Sequence, residues 1–296
     1  MSDNIDFNDL RKRAVSQPLV VDKYTADPSA HVFDGKIYIY PSHDIDAGIP
    51  FNDNGDHFGM RDYHAYTMES PDDKLATDLG KILDIDDVPW AKRQMWAPDI
   101  ARKGDKYYFY FPAKDKDDIF KIGVAQGDSP SGPFTPDPKP IEGSYSIDPA
   151  VFNDSGKYYM YFGGLWGGQL QKYRNNIYSN GNELRSDDDF AFGPLVAELS
   201  DDMRGFSISP EEIIIQDENG NPLLAADNSR RYFEGPWMHK YNKKYYLSYS
   251  TGDTHFICYA IGDTPKGPFM YAGKILDPVV GWTTHHSICE FNGRWF

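Results

Sequence analysis

Cysteine is scarce in this chain, as are long apolar runs and helical periodicity. Two cysteines, Cys258 and Cys289, among 296 residues make neither a disulfide framework nor a zinc pattern. Both lie in apolar, strand-like runs and read as buried free thiols. No stretch is apolar enough to cross a bilayer. The opening Met1-Ser2-Asp3-Asn4-Ile5-Asp6 is acidic and lacks the apolar segment of a secretion signal. A cytoplasmic location is therefore expected, or a periplasmic or secreted one if a signal has been removed. Basic residues are outnumbered 30 to 45, a net charge of −15. Nucleic acid needs clustered Lys and Arg, so it is not an expected partner, whereas neutral sugars remain open. Helix is confined to short candidates such as Phe7 to Val15.

What the chain has instead is 26 Gly, 21 Pro and 21 Tyr, which suits one large all-β domain able to bury a substantial core. One segment recurs. Asp27-Pro28 leads to Phe33-Asp34-Gly35-Lys36-Ile37-Tyr38, and Trp96-Ala97-Pro98-Asp99 to Lys103-Gly104-Asp105-Lys106-Tyr107-Tyr108. Asp148-Pro149 leads to Asp154-Ser155-Gly156-Lys157-Tyr158-Tyr159, and Glu234-Gly235-Pro236 to Tyr241-Asn242-Lys243-Lys244-Tyr245-Tyr246. A fifth copy runs from His285-His286-Ser287 to Phe291-Asn292-Gly293-Arg294-Trp295-Phe296. Each reads as a strand, a tight turn and a second strand.

The copies begin at positions 27, 99, 148, 234 and 285, the uneven spacing of one unit carrying loops of different length. Ser129-Pro130-Ser131-Gly132-Pro133-Phe134 matches Thr264-Pro265-Lys266-Gly267-Pro268-Phe269, with a weaker echo at Phe192-Gly193-Pro194. Five units predict a five-bladed β-propeller over residues 24–296, preceded by an N-terminal extension of residues 1–23. Phe296 falls just past the turn of the fifth hairpin. The fifth blade is therefore expected to be short, or to be completed by the N-terminal segment.

Three copies open on a carboxylate: Asp27, Asp148 and Glu234. Equivalent positions in a ring converge on its axis, and converging carboxylates are what hydrolysis of a glycosidic bond requires. Taken singly, an Asp before Pro is a common turn residue. Asp99, whose proline precedes it, reads as structural, bonding backbone amides where the second blade begins. Proline restricts the residue before it to extended backbone, which predicts extended conformations for Asp27 and Asp148. Phe233 and Trp237 flank Glu234, so partial desolvation, reinforced by a negative Asp148, is expected to raise its pKa.

The order Ala26-Asp27-Pro28, Trp96-Ala97-Pro98-Asp99, Ile147-Asp148-Pro149, Glu234-Gly235-Pro236 and His285-His286-Ser287 resembles family-43 glycoside hydrolases, over roughly Tyr24 to Phe296. The resemblance implies the five-bladed propeller and inversion of configuration. It makes Asp27 the general base, Glu234 the general acid, and Asp148 the residue that orients the acid and tunes its pKa. An inverting pair stands roughly 6.5–9.5 Å apart, leaving room for water. It also implies that His285 lies beneath the active centre, beside calcium or another divalent cation held mostly by water. Calcium prefers oxygen ligands, so metal dependence should be modest; a hydrogen-bonded histidine without metal is the alternative. No organic cofactor is expected. His31, His43, His57, His64, His239 and His255 show no metal-ligand spacing and read as structural or surface residues.

Sugar rings present apolar C–H faces, so aromatic walls are expected. Trp96 is the first candidate, with Trp166 on the glycine-rich segment Gly163 to Gly168 and Phe51 in the loop from His43 to Asp62. Arg231, like Arg230, could bond sugar hydroxyls. The acidic loop Asp44 to Asp56 lacks calcium-loop spacing and reads as a pocket-shaping insertion. Long loops at Pro41 to Tyr63 and Tyr173 to Arg231 are expected to close the axial funnel into a pocket, hence exo-action on terminal xylose or arabinofuranose of xylo-oligosaccharides or arabinoxylan fragments. An open groove would imply an endo-arabinanase. A fructan hydrolase would carry Asn where Ala26 stands, a phosphorylase would need a basic pocket, and a binding-only propeller would be expected to have lost one of the acids.

Overall fold

A computed structural model describes residues 17–182, 184–278 and 285–296; the helix candidate Phe7 to Val15 lies outside them. The first hairpin pairs Thr25–Phe33 with Lys36–Asp46. Its turn places Asp34 at φ +51° and Gly35 at φ +80°, the left-handed pair that a two-residue connection between twisted strands requires. Asp62–Met68 and Thr77–Asp84 complete the first blade. The second holds Asp99–Lys103, Lys106–Asp115, Phe120–Gly127 and Thr135–Pro136, and the third Ala150–Asp154, Lys157–Phe162, Leu195–Glu198 and Glu211–Glu212. The fourth holds Glu234–Tyr241, Lys244–Ser250, Ile257–Gly262 and Phe269–Leu276, with Ile215–Gln216 added in parallel at its outer edge.

The all-β propeller is present, but among the described residues it has four blades, not the five expected. A blade takes four strands, and residues 285–296 supply two, the hairpin Glu290–Phe291 with Arg294–Trp295. First strands of successive blades touch one another. His31 of the first blade meets Trp237 of the fourth with ring centroids 5.5 Å apart, so the arrangement closes on itself near the axis. No described helix is long and apolar enough to cross a membrane.

The repeated tyrosines explain how the blades are joined. Tyr40, Tyr110 and Tyr161 occupy matching places, the fifth residue of each second strand, Tyr249 lies one place further along the fourth, and all four are fully buried. A buried phenol needs a hydrogen-bond acceptor. Tyr40 donates to the Pro130 carbonyl of the second blade at 2.6 Å, Tyr110 to Met203 of the third at 2.9 Å, and Tyr161 to Pro265 of the fourth at 2.8 Å. Tyr249 instead donates to Arg230, just before its own blade, at 2.5 Å. The two proline signatures do the same work in two blades: Phe134 and Phe269 are buried against Gly127 and Gly262, where an added Cβ would come within 2.9 and 2.8 Å of them. Of the two cysteines, Cys258 is buried as expected; Cys289 is only partly so.

Candidate active site

The three carboxylates sit on a backbone feature that the prolines do not announce. Ala26 faces Ser42 and Ser29 faces Tyr40, so the first strand carries one residue more than its partner. Glu234 faces Ser250 and Trp237 faces Ser248, the same excess. In the third blade Ile147 accepts from Gly163 N at 2.7 Å while Ala150 faces Tyr161. Each is a β-bulge, which re-aims side chains at a strand start. The residue before each proline is left-handed: Asp27 at φ +51°, Asp148 at +57° and Gly235 at +62°. The extended backbone expected for Asp27 and Asp148 is thus replaced by a conformation that short polar Asp tolerates better than most residues. Such backbone strain concentrates at functional sites. In the fourth blade glycine takes the left-handed place, and the carboxylate stands one residue earlier on the longer Glu234.

All three acids line one cavity of about 680 Å³. Trp96 forms part of its base, packed so closely between two backbones that a Cβ on Gly55 or Gly167 would lie 2.8 or 2.9 Å from its ring. Behind it, Tyr63 donates to the Trp96 carbonyl at 2.5 Å. Trp166 and Phe51 stand on the rim, 41% and 59% exposed. Gln94 pins the Phe51 loop by donating to the carbonyls of Gly55 at 2.6 Å and Phe58 at 2.9 Å. Arg93 pairs with Asp56 at 2.7 Å for the same loop.

Asp148 accepts from the Gly235 amide at 3.0 Å, which ties it to the residue after Glu234. Desolvation, anticipated for Glu234, acts on Asp27. Burial, with the negative Asp148 and Asp44 nearby, raises its pKa to about 6 against a partial offset from His285. His285 lies 3.8 Å from Asp148, an ion-pair distance. Burial would discharge this imidazole, but Asp148, Asp27 and Glu234 together outweigh burial and push it up to about 9. Both its ring nitrogens are buried without a hydrogen-bond partner among the described residues. Ring nitrogens without a partner among carboxylates fit water when protonated, and a cation when one of them offers its lone pair. A proton and a metal compete for the same imidazole, and no described carboxylate joins His285 in a three-ligand group.

Arg231 is not among the lining residues. Its guanidinium is held by Asn228 at 2.8 and 3.0 Å and reaches only to 3.9 Å from Asp253, which does line the cavity. The described residues of the loop from Tyr173 to Arg231 contribute no lining residue either; the second wall comes from Leu165 to Gly168 and from Gly252, Asp253 and His255. His57 and His255, assigned to structure or surface by sequence, both face the cavity, as do Asp44, Asn52 and Asp53. Nothing in their spacing marks them, because two segments about 200 residues apart in the chain bring them together. Asp99 is fully buried and bonds the Val151 amide at 2.5 Å, matching the structural reading.

A family model described as glycosyl hydrolases family 43 matches residues 17–278. A xylosidase/arabinosidase of Bacteroides ovatus is 58% identical over 94% of this chain and 86% of that protein. Xylosidase/arabinosidase 43A of Humicola insolens is 60% identical over 94% of this chain and 88% of its own. Among solved structures, a β-xylosidase/α-arabinofuranosidase from a compost metagenome, bound to xylotriose in a calcium-free form, superposes with TM-score 0.92. It is 63% identical over 95% of this chain and 87% of its own. A GH43_1 enzyme from Xanthomonas citri complexed with xylotriose gives TM-score 0.92 at 56% identity, over 97% and 85% of the two chains. The match in family model, in sequence over nearly the whole length and in backbone places this chain in glycoside hydrolase family 43, and makes it a glycosidase.

Proposed function

We propose that this protein is an inverting, exo-acting glycosidase that releases terminal xylose or arabinofuranose from xylo-oligosaccharides and arabinoxylan fragments. The observation that carries this is the convergence of Asp27, Asp148 and Glu234, the first two left-handed bulge residues and the third beside one, on one cavity. In this reading ionised Asp27 takes a proton from the attacking water as Glu234 gives one to the leaving oxygen. Asp148 holds the backbone beside Glu234 through the Gly235 amide. Trp96, Trp166 and Phe51 face the sugar rings. The related proteins named xylosidase/arabinosidase and the two xylotriose complexes support the substrate class.

The Phe51 loop, which roofs the cavity in this reading, favours removal of single end sugars over cleavage within a chain. His285, with water, would hold a divalent cation, which would add positive charge beneath the sugar. We also propose the hairpin Glu290–Trp295 as part of a fifth blade, since Trp237 Nε1 donates to the Ile288 carbonyl at 2.9 Å and His285 lies among the acids. The test is hydrolysis of 4-nitrophenyl β-D-xyloside and α-L-arabinofuranoside, and of xylotriose, by wild type and Glu234→Gln. Single xylose units released from xylotriose, with loss by orders of magnitude in the variant, support the reading. Inactivity of wild type on all three overturns it.

A further inference from the structure

The cavity-roofing loop leaves the first blade after Asp46, pairs back onto it at Phe58–Met60 and re-enters it as Asp62–Met68. At its two ends stand His43, on Lys36–Asp46, and Asp62 with His64, on Asp62–Met68. Alternation along a strand puts Asp62 and His64 on one face, and the antiparallel pairing of the two strands brings His43 alongside. One ligand atom from each of the three lies within 4.8 Å of the others. His43 Nδ1 and Asp62 Oδ1 are 2.5 Å apart, and the rings of His43 and His64 meet edge-on at 5.4 Å. Nδ1 of His64 contacts both oxygens of Asp78, at 3.0 and 3.1 Å, which leaves Nε2 as that ring's remaining ligand atom. Asp78 is itself anchored by Lys23 at 2.7 Å. A carboxylate on the far nitrogen is the support that metal-bound histidines characteristically receive. All three residues are half-buried, within reach of an ion from solvent. None of them lines the catalytic cavity, although Asp44, next to His43, does.

We propose that His43, Asp62 and His64 form a binding site for a first-row divalent ion of the zinc type, separate from the cavity, which fastens the two ends of the roofing loop. Two imidazoles and one carboxylate, with water completing the shell, match zinc-type coordination; calcium would call for oxygen ligands. The ion replaces the proton shared by His43 and Asp62, which is released to solvent. The segment so fastened supplies Asp44, Phe51, Asn52, Asp53 and His57 to the cavity, so occupancy should tighten the substrate pocket without entering the chemistry.

The test uses the whole chain, stripped of metal, then dialysed against Zn²⁺ and against Co²⁺ as a spectroscopic probe. Wild type should retain one more zinc per chain than His64→Ala or Asp62→Asn, and the visible absorption of bound Co²⁺ should vanish in both. Zinc should raise the melting temperature of wild type and leave that of the variants unmoved. Equal zinc in all three proteins, or a cobalt spectrum that survives both substitutions, overturns the site. Asp62→Asn preserves side-chain size and carries the comparison if His64→Ala does not fold. Binding is measured without substrate, so the outcome stands apart from that of the hydrolase assay.

Discussion

Asp27 and Asp99 both stand where a blade begins but two places apart in the repeat, Asp99 facing Tyr110 as Ser29 faces Tyr40, and they have opposite surroundings. Asp99 is saturated: Ser29 donates to one of its oxygens, His31 contacts the same oxygen at 2.6 Å, and the Val151 amide donates to the other at 2.5 Å. Those partners come from the first and third blades, so Asp99 ties three blades together. Asp27 faces a cavity, and the largest influence on it is loss of water, which raises its pKa to about 6. A carboxylate whose lone pairs are filled by fixed donors holds structure, whereas one stripped of water and left facing open space is ready to accept a proton. The blade entry supplies both carboxylates; the place each takes in it and the partners found there decide which use is made of it.

Exchanging the carboxylates for amides separates the two most sharply. Asp27→Asn should lower kcat at least a thousandfold, within the range of about 10²–10⁴ for loss of a general base, with the folded state intact by circular dichroism. Asp99→Asn should do the reverse. Breaking a buried, bonded carboxylate costs about 3 kcal/mol, read as a lower unfolding midpoint, while the remaining folded enzyme keeps much of its kcat. Equal loss of stability in the two variants would erase the distinction.

Acidity probes the same contrast less severely. Asp27 must be ionised to act, so kcat/KM should fall as pH drops through about 6. A carboxyl with a raised folded pKa contributes stability below its unfolded value that is lost as pH rises through the folded one. Asp27→Asn should therefore gain stability relative to wild type at pH 7.5 compared with pH 4. A pH–rate profile flat between 5 and 7 would count against Asp27 as the base. The smallest expected change is Gly164→Ala. Its new Cβ would lie 2.6 Å from Ile147 Cδ1 and 3.1 Å from Glu234 Cβ, displacing the acid slightly and costing about tenfold in kcat with KM little altered.

Much of this was legible in the chain because it repeats. The Lys-Tyr-Tyr hairpins mark the blades, and the recurring carboxylates point to one axis. What was hidden depends on contacts between distant segments or on backbone hand. Proline after Asp signals restriction, yet Asp27 and Asp148 satisfy it in the left-handed region. Asp53, His57 and His255 carry no local signature, since the cavity they share exists only after three loops meet. His43 and His64 look unrelated because the pairing that joins them spans the roofing loop. The fifth copy forms one hairpin among the described residues, and a hairpin carries the same sequence signal as a full sheet.

The blade-joining tyrosines give the molecule a direction in time. Tyr40, Tyr110 and Tyr161 precede their acceptors by 90, 93 and 104 residues. At about 5–20 residues per second, a newly synthesised blade waits roughly 5–20 s for the carbonyl that will satisfy its buried phenol. Until then each blade holds an unmet polar group at its leading face, exposed to water or to a chaperone. Assembly during translation is therefore a relay, in which each of the first three blades is finished by its successor rather than by itself.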